Sequence, residues 1–293
     1  MKLISSLAIL FIVLTFTACE TIVDIEIPDQ DTKLVCNAIA VAGDSVNIFR
    51  LTKSRGVLEP FSYYYEAVED GEIVLLENDI PVATLHQEFN PGDYPCHYPF
   101  HSGNTYTIEA SADGLTSVNA STVLPFGVVP VITSYTPNVY TDQNGTEIAE
   151  LKFTLNDPAS EENYYTLLIN GINNYGSQDI YFNSNDPALN ITSSDNGNGG
   201  FSGENQTSFD DHLFNGQSRT FTINLISYDV SSDFKLEVKL ISLDRPAYLY
   251  SQSKRLQDVT NGNPFAEPVQ VYNNIENGYG IFGSMTIERD TIQ

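Results

Sequence analysis

The chain of 293 residues has no tryptophan, three cysteines, two methionines and 13 Lys+Arg set against 38 Asp+Glu. Each scarcity excludes something. Without tryptophan, a sandwich core built on a buried indole is ruled out and a sugar-stacking platform is disfavoured. So few cations leave a formal net charge of −25, which repels phosphate backbones and anionic head groups, so a nucleic-acid role is excluded. Also missing, beyond the first 18 residues, is any apolar run near the roughly 20 residues that a membrane-spanning helix needs. Catalytic signatures are absent as well: there is no His-Glu-x-x-His, no Gly-x-Ser-x-Gly, and no Asp-Thr-Gly or Asp-Ser-Gly. No enzyme chemistry is legible, a hydrolase is only a third reading, and no cofactor is expected.

What is present begins with Lys2 and the uncharged run Leu3 to Phe16, closing on Phe16-Thr17-Ala18-Cys19. An apolar core this short, with a basic front and small residues before a cysteine, reads as a cleaved export signal over residues 1–18. It resembles a bacterial lipoprotein signal, with Phe16 where Leu is usual. That resemblance implies diacylation of Cys19, which becomes the new N-terminus; the alternative is an ordinary signal peptide that contains a cysteine. Two or three acyl chains give durable attachment where one does not. Cleavage removes Lys2 and no acid, so the mature chain is one charge more negative.

Residues 19–32 form an acidic, proline-containing tether, a solvated leash that could reach about 40 Å at roughly 3.3 Å per residue. Glu20, Asp24 and Glu26 partly resemble, at wider spacing, the signal that sends Bacteroidota lipoproteins to the outer surface.

From 33 to 127 the pattern has period two. Tyr106, Ile108 and Ala110 alternate with Thr105, Thr107 and Glu109, and Val46, Ile48, Glu72 to Leu76, Val82 to Leu85 and Thr116 to Val123 add short strands. Turn signals separate them at Gly43-Asp44, Glu77-Asn78-Asp79, Pro91-Gly92-Asp93, Ser102-Gly103-Asn104 and Asp113-Gly114. The fold class expected is all-β, with two antiparallel β-sandwich-like domains, the first of immunoglobulin or transthyretin-like type. Cys36 and Cys96 fall in this first domain; they either pair in an oxidising envelope or are small buried hydrophobes.

The second domain, 128–293, is expected to be β-rich with one helix. Strands are read at Ile148 to Leu155, Tyr164 to Ile169, Ile180 to Phe182, Phe221 to Leu225 and Leu236 to Leu240. The helix is placed at 244–257, with Asp244 as its cap and Pro246 in its first turn. The polar stretch 183–206 is too long for a routine connection and is either mobile or a binding loop; Gly197 spoils its likeness to a calcium loop.

The C-terminal run from Asn263 to Glu288 is the most distinctive. Pro264 and Pro268 bracket an extended entry, Val269 to Tyr272 read as a strand, and Asn277-Gly278 as a turn. Gly280 and Gly283 flank Ile281-Phe282 and would admit a neighbouring backbone in a packing hairpin. The pattern of Asn263, Pro264, Phe265, Pro268, Asn274, Asn277, Gly278, Gly280, Phe282 and Gly283 resembles the closing signature of a family of Bacteroidota lipoproteins. Its members carry a domain of unknown function over nearly their whole length and often sit beside TonB-dependent outer-membrane transporters. The opening matches too, from the cysteine and acidic tether to Gly-x-x-Tyr-x-Ile and a Val-Leu-Pro exit at Val123 to Pro125. The resemblance implies a lipid-anchored outer-membrane protein facing the cell exterior. It would partner a TonB-dependent transporter in substrate capture or gating, or else serve as a scaffolding subunit of a surface assembly without a small ligand. It carries over no catalytic residue.

Other candidates are weaker. Cys96, His97 and His101 offer soft metal ligands, but Pro95 and Pro99 interrupt any regular element, and no metal is expected. Glu161-Glu162 and Asp210-Asp211 read as solvated turns, because adjacent carboxylates do not face one another as a hydrolytic dyad must. Tyr63, Tyr64 and Tyr65 are either a partner-binding cluster or alternate core filling.

Overall fold

The computed structural model describes residues 31–56, 65–159, 161–189, 191, 201–231, 233–261, 263 and 265–292. The chain divides into two units, Met1–Asp31 and Thr32–Gln293, and the second carries the whole described fold. The signal segment with Cys19, nearly all of the tether, Tyr63, Tyr64, Pro264 and the middle of the 183–206 stretch lie outside the described residues.

The protein is all-β with one α-helix among the described residues, and its sheets form no barrel. The first half supplies β1 (Leu34–Val41), β2 (Asn47–Lys53), β3 (Glu72–Glu77), β4 (Ile80–His86), β5 (Asp93–Cys96), β6 (Thr105–Ser111) and β7 (Val118–Val123). There follow β8 (Val131–Thr141), β9 (Glu147–Asn156), β10 (Tyr164–Asn173), β11 (Gly176–Asp179), β12 (Phe182–Asn183), β13 (Gln206–Asp210), β14 (Ser218–Ile226) and β15 (Phe234–Leu243). Helix α1 (Arg245–Thr260) and β16 (Tyr279–Ile292) close the chain.

The period-two reading succeeds because alternation is what half-buried strands require. Leu34, Cys36, Ala38 and Ala40 on β1, and Phe221, Ile223 and Leu225 on β14, all face inward and are buried. The turn signals of the first half fall between strands; Asn78 and Asp79, at φ 50° and 67°, make the tight β3–β4 hairpin.

Three sheets result. The largest has eight strands in the order β11-β10-β15-β16-β1-β2-β5, with β13 beside β10 on the edge it shares with β11. Two four-stranded sheets, β4-β3-β6-β7 and β12-β14-β9-β8, cover different parts of it. The first core joins β1, β2 and β5 to β3, β6 and β7; Phe49 meets Phe282 at 5.9 Å, and Phe100 meets Tyr106 at 4.8 Å. The second core joins β10, β13 and β15 to β9 and β14, with Phe209 and Phe221 5.8 Å apart. Near residue 127 the chain passes from one four-stranded sheet and core to the other, while the eight-stranded sheet spans both, and Ile275 and Phe282 from the C-terminus complete the first core.

β16 makes this sharing possible. It runs antiparallel to β15 and parallel to β1, with Cys36 opposite Gly280 and Ala38 opposite Phe282. The expected packing hairpin at Gly278–Gly283 is thus a strand inserted between two others. The expected strand Val269 to Tyr272 does not form, since that stretch pairs with no other strand. A parallel partner more than 200 residues away leaves no trace in local spacing.

The glycines answer to close backbones, as their spacing suggests. A Cβ on Gly280 (φ 117°) would lie 1.9 Å from the Cys36 carbonyl oxygen, one on Gly278 2.4 Å from that of Leu34, and one on Gly283 2.9 Å from the Ala247 Cβ. Gly283 lets α1 rest on the outer face of β16. The helix is capped as expected, Asp244 accepting from Ala247 N at 2.8 Å, with Pro246 in its first turn.

A Cys36–Cys96 disulfide is excluded. Cys36 is in register with Leu51 and Cys96 with Asn47, on opposite sides of β2. At about 4.8 Å between strands and about 3.4 Å per residue, their Cα atoms stand roughly 16 Å apart, beyond the ~7 Å limit for a bridge. Both are free and buried, and burial pushes the Cys36 thiol up to about 12.

Two outcomes are expected. Gly280→Ala should lower stability in urea unfolding by more than about 2 kcal/mol, whereas Gly114→Ala, with open space around its Cβ, should cost about 1 kcal/mol; equal losses would contradict the close approach. Mature protein denatured without reductant should alkylate at both Cys36 and Cys96, and a disulfide-linked peptide in the map would contradict the geometry.

Candidate functional site

The signature residues separate into two groups. Asn274 acts as a piece of backbone for the start of β16: its Nδ2 donates to Phe282 O at 2.8 Å and its Oδ1 accepts from Phe282 N at 2.9 Å. Asn277 takes the left-handed turn at φ 62°, and Phe282 is wholly buried. These residues, with Gly278, Gly280 and Gly283, dock β16. The upstream group does not pack in this way. Asn263 Oδ1 accepts from Phe265 N at 3.0 Å, but the Phe265 ring is 95% exposed and Pro268 is exposed, so a packing role for that part is corrected.

Where the two sandwiches meet, the inward face of β16 turns polar. Ser284 Oγ lies 2.7 Å from Thr122 Oγ1 and donates to Val123 O at 3.0 Å, while Thr286 Oγ1 donates to Pro125 O at 2.7 Å. Thr122 also donates to Asp244 Oδ2, and Asp290 Oδ2 accepts from Ile132 N at 2.7 Å. This ladder stitches the chain crossing from β7 to β8 onto β16. Burial raises the Asp244 carboxyl above the usual carboxylate range, against hydrogen bonds from Thr122 and Ala247 that favour its charge. Ser284 is fully buried, and the hydrogen bonds of the cluster join β7, the crossing segment and the cap of α1 to β16.

A pocket of ≈ 360 Å³ opens beside this seam. Val123, Pro125 and Phe126 form its apolar wall, while Glu161, Tyr164 and Arg245 supply polar groups from the second sandwich. The Tyr164 hydroxyl donates to Glu162 at 2.8 Å, and its ring stacks on Tyr248 at 4.6 Å. The Phe126 ring lies over Gly103, where a Cβ would come within 2.8 Å of it. Nothing in the spacing singles out these residues, which four separate stretches of the chain bring together.

The other sequence candidates do not converge. Cys96 faces the core while His97 and His101 face solvent, and among the described residues no cluster of three metal-ligating side chains forms. Tyr65 is 77% exposed, which excludes core filling for that ring. Glu161 and Glu162 are exposed, but Asp211 is 2% exposed, correcting its reading as a solvated turn. Asp211 Oδ2 accepts from Asn163 N at 3.0 Å, and its charge helps raise the nearby Asp157 carboxyl, after burial as the larger cause. Asp157 in turn accepts from Tyr165 OH at 2.5 Å and Gly216 N at 2.8 Å. This buried acid pair, 54 positions apart in the chain, clamps the loops at the end of the second sandwich.

Residues 20–291 match the family described as Domain of unknown function (DUF4249), and the chain belongs to that family. A comparison with curated proteins finds no match.

Asp244→Ala should cost about 2 kcal/mol, through the lost cap and the lost charge-assisted hydrogen bond from Thr122. Asp244→Asn should stay within about 1 kcal/mol of wild type at neutral pH. Because the folded carboxyl titrates above its unfolded value of about 3.9, wild type should gain on Asp244→Asn as pH falls, and lose that gain as pH rises through the folded value. Urea midpoints across pH check this; a gap that widens in the opposite direction would contradict the burial of that carboxyl.

Proposed function

We propose that this DUF4249 member is a Bacteroidota lipoprotein, anchored in the outer membrane through Cys19 and facing the cell exterior. There it assists a TonB-dependent transporter in capturing or gating substrate. The observation that carries the reading is the uncharged run from Leu3 to Phe16 ending at Cys19, placed ahead of a β body that has an open pocket between two sandwiches. The attachment the sequence offers is lipid at Cys19; no helix among the described residues is long and apolar enough to cross a membrane. The strongly acidic surface suits a protein held off anionic head groups on a leash.

A second reading, a scaffolding subunit of a surface assembly, is favoured by rings and side chains that nothing covers: Phe265, Tyr65 and Val259 are 95%, 77% and 75% exposed. The two readings differ in whether a small ligand stabilises the protein.

Metabolic labelling with palmitate should mark the wild-type chain and not Cys19→Ala, and purification from native membranes in mild detergent should bring a β-barrel partner along. An unlabelled wild-type chain, or one recovered without a barrel, would contradict the proposal.

A further inference from the structure

We propose that the pocket between the two sandwiches binds short peptides through a free α-carboxylate, with an apolar side chain seated against Phe126 and the ammonium end toward Glu161. This deepens the capture role above and rests on it for its setting. The pocket's volume of ≈ 360 Å³ lies in the range of small-ligand sites, about 300–1,000 Å³.

Three features define the ligand. The first is Arg245. In a chain where acids outnumber bases 38 to 13, this guanidinium makes no ion pair among the described residues. Its neighbour in the pocket is the Tyr164 hydroxyl, which burial and then the hydrogen bond to Glu162 push up, the guanidinium beside it opposing that rise. A planar guanidinium that has donors beyond the one facing Tyr164, and no carboxylate paired with it, matches a ligand carboxylate, which it can hold in two parallel hydrogen bonds.

The second is the apolar wall. Val123 and Phe126 are 53% and 62% exposed, large hydrophobic surfaces turned to solvent in the place where a side chain could cover them. The Phe126 ring is held against Gly103, so the wall is preformed and costs little ordering on binding.

The third is the acidic rim. Glu162 is engaged by Tyr164, whereas Glu161, whose backbone carbonyl accepts from Asn163, is exposed and its carboxylate has no hydrogen-bond partner among the described residues. A lone anion such as phosphate or sulfate would gain Arg245 and meet two carboxylates, so the rim selects against dianions. A zwitterion places its ammonium toward Glu161 and its carboxylate toward Arg245, satisfying both signs. Neutral glycans offer neither charge.

The test uses the full-length lipoprotein in detergent micelles, titrated calorimetrically with the dipeptide Leu-Phe, its C-terminal amide and its N-acetyl form. The free dipeptide should bind, and amidation should weaken it by about tenfold or more, the loss expected for a charge-assisted pair. Arg245→Gln should weaken the free dipeptide by a similar factor and abolish its preference over the amide. Phe126→Ser should weaken both forms equally, and acetylation should weaken binding to wild type but not to Glu161→Gln. Unfolding midpoints of each variant near the wild-type value show that the losses belong to the pocket. Equal affinity for free and amidated peptide, a preference that survives Arg245→Gln, or no binding of any form by the folded protein would overturn the proposal. A barrel partner that copurifies despite absent peptide binding separates that failure from failure of the transporter role.

Discussion

The fold depends on how closely β16 lies against β1. With no Cβ at Gly278 and Gly280, the last strand can sit beside the Leu34 and Cys36 backbone and pair in parallel with a strand from the opposite end of the sequence. That contact merges what would be two separate sheets into one of eight strands. Gly283 then permits α1 to rest on the other face, with Ala247 as its only buried residue. The helix is therefore held at its capped end, and its stability comes more from Asp244 and that contact than from an apolar stripe.

Along its inward face β16 changes chemistry with position. Phe282 lies in the first core, Ser284 and Thr286 bond the crossing segment, Asp290 holds Ile132, and Ile292 packs against the second core. A polar seam flanked by two dry cores gives a specific join, since each buried group there has a partner to lose. The seam also explains the pocket's position. The two sandwiches meet on one sheet beside this groove, and the crossing segment lines it with Val123, Pro125 and Phe126 while the Val123 and Pro125 carbonyls bond to β16.

Much of the strand layout was legible from residues alone. Alternation at Tyr106, Ile108 and Ala110, or at Leu236, Val238 and Leu240, is a local consequence of burying one face, and the Asp244-Arg245-Pro246 start of α1 is equally local. What escaped was pairing over long distances. Val269 to Tyr272 has strand-like residues but no neighbour, while Tyr279 to Ile292 finds two. The same blindness let Cys36 and Cys96 look like partners, although β2 runs between them. The Asp157–Asp211 pair and the lining of the pocket were invisible for that reason too, being assembled from loops whose positions follow only from the finished topology.

If β16 joins the two sandwiches into one cooperative structure, native-state hydrogen exchange followed by mass spectrometry should show it directly. Peptides from β1, β6, β9, β15 and β16 should share one opening free energy and one dependence on denaturant. Exchange of β1 and β6 at markedly lower denaturant than β9 and β15 would show the first sandwich opening alone, and would contradict a fold governed by the shared strand.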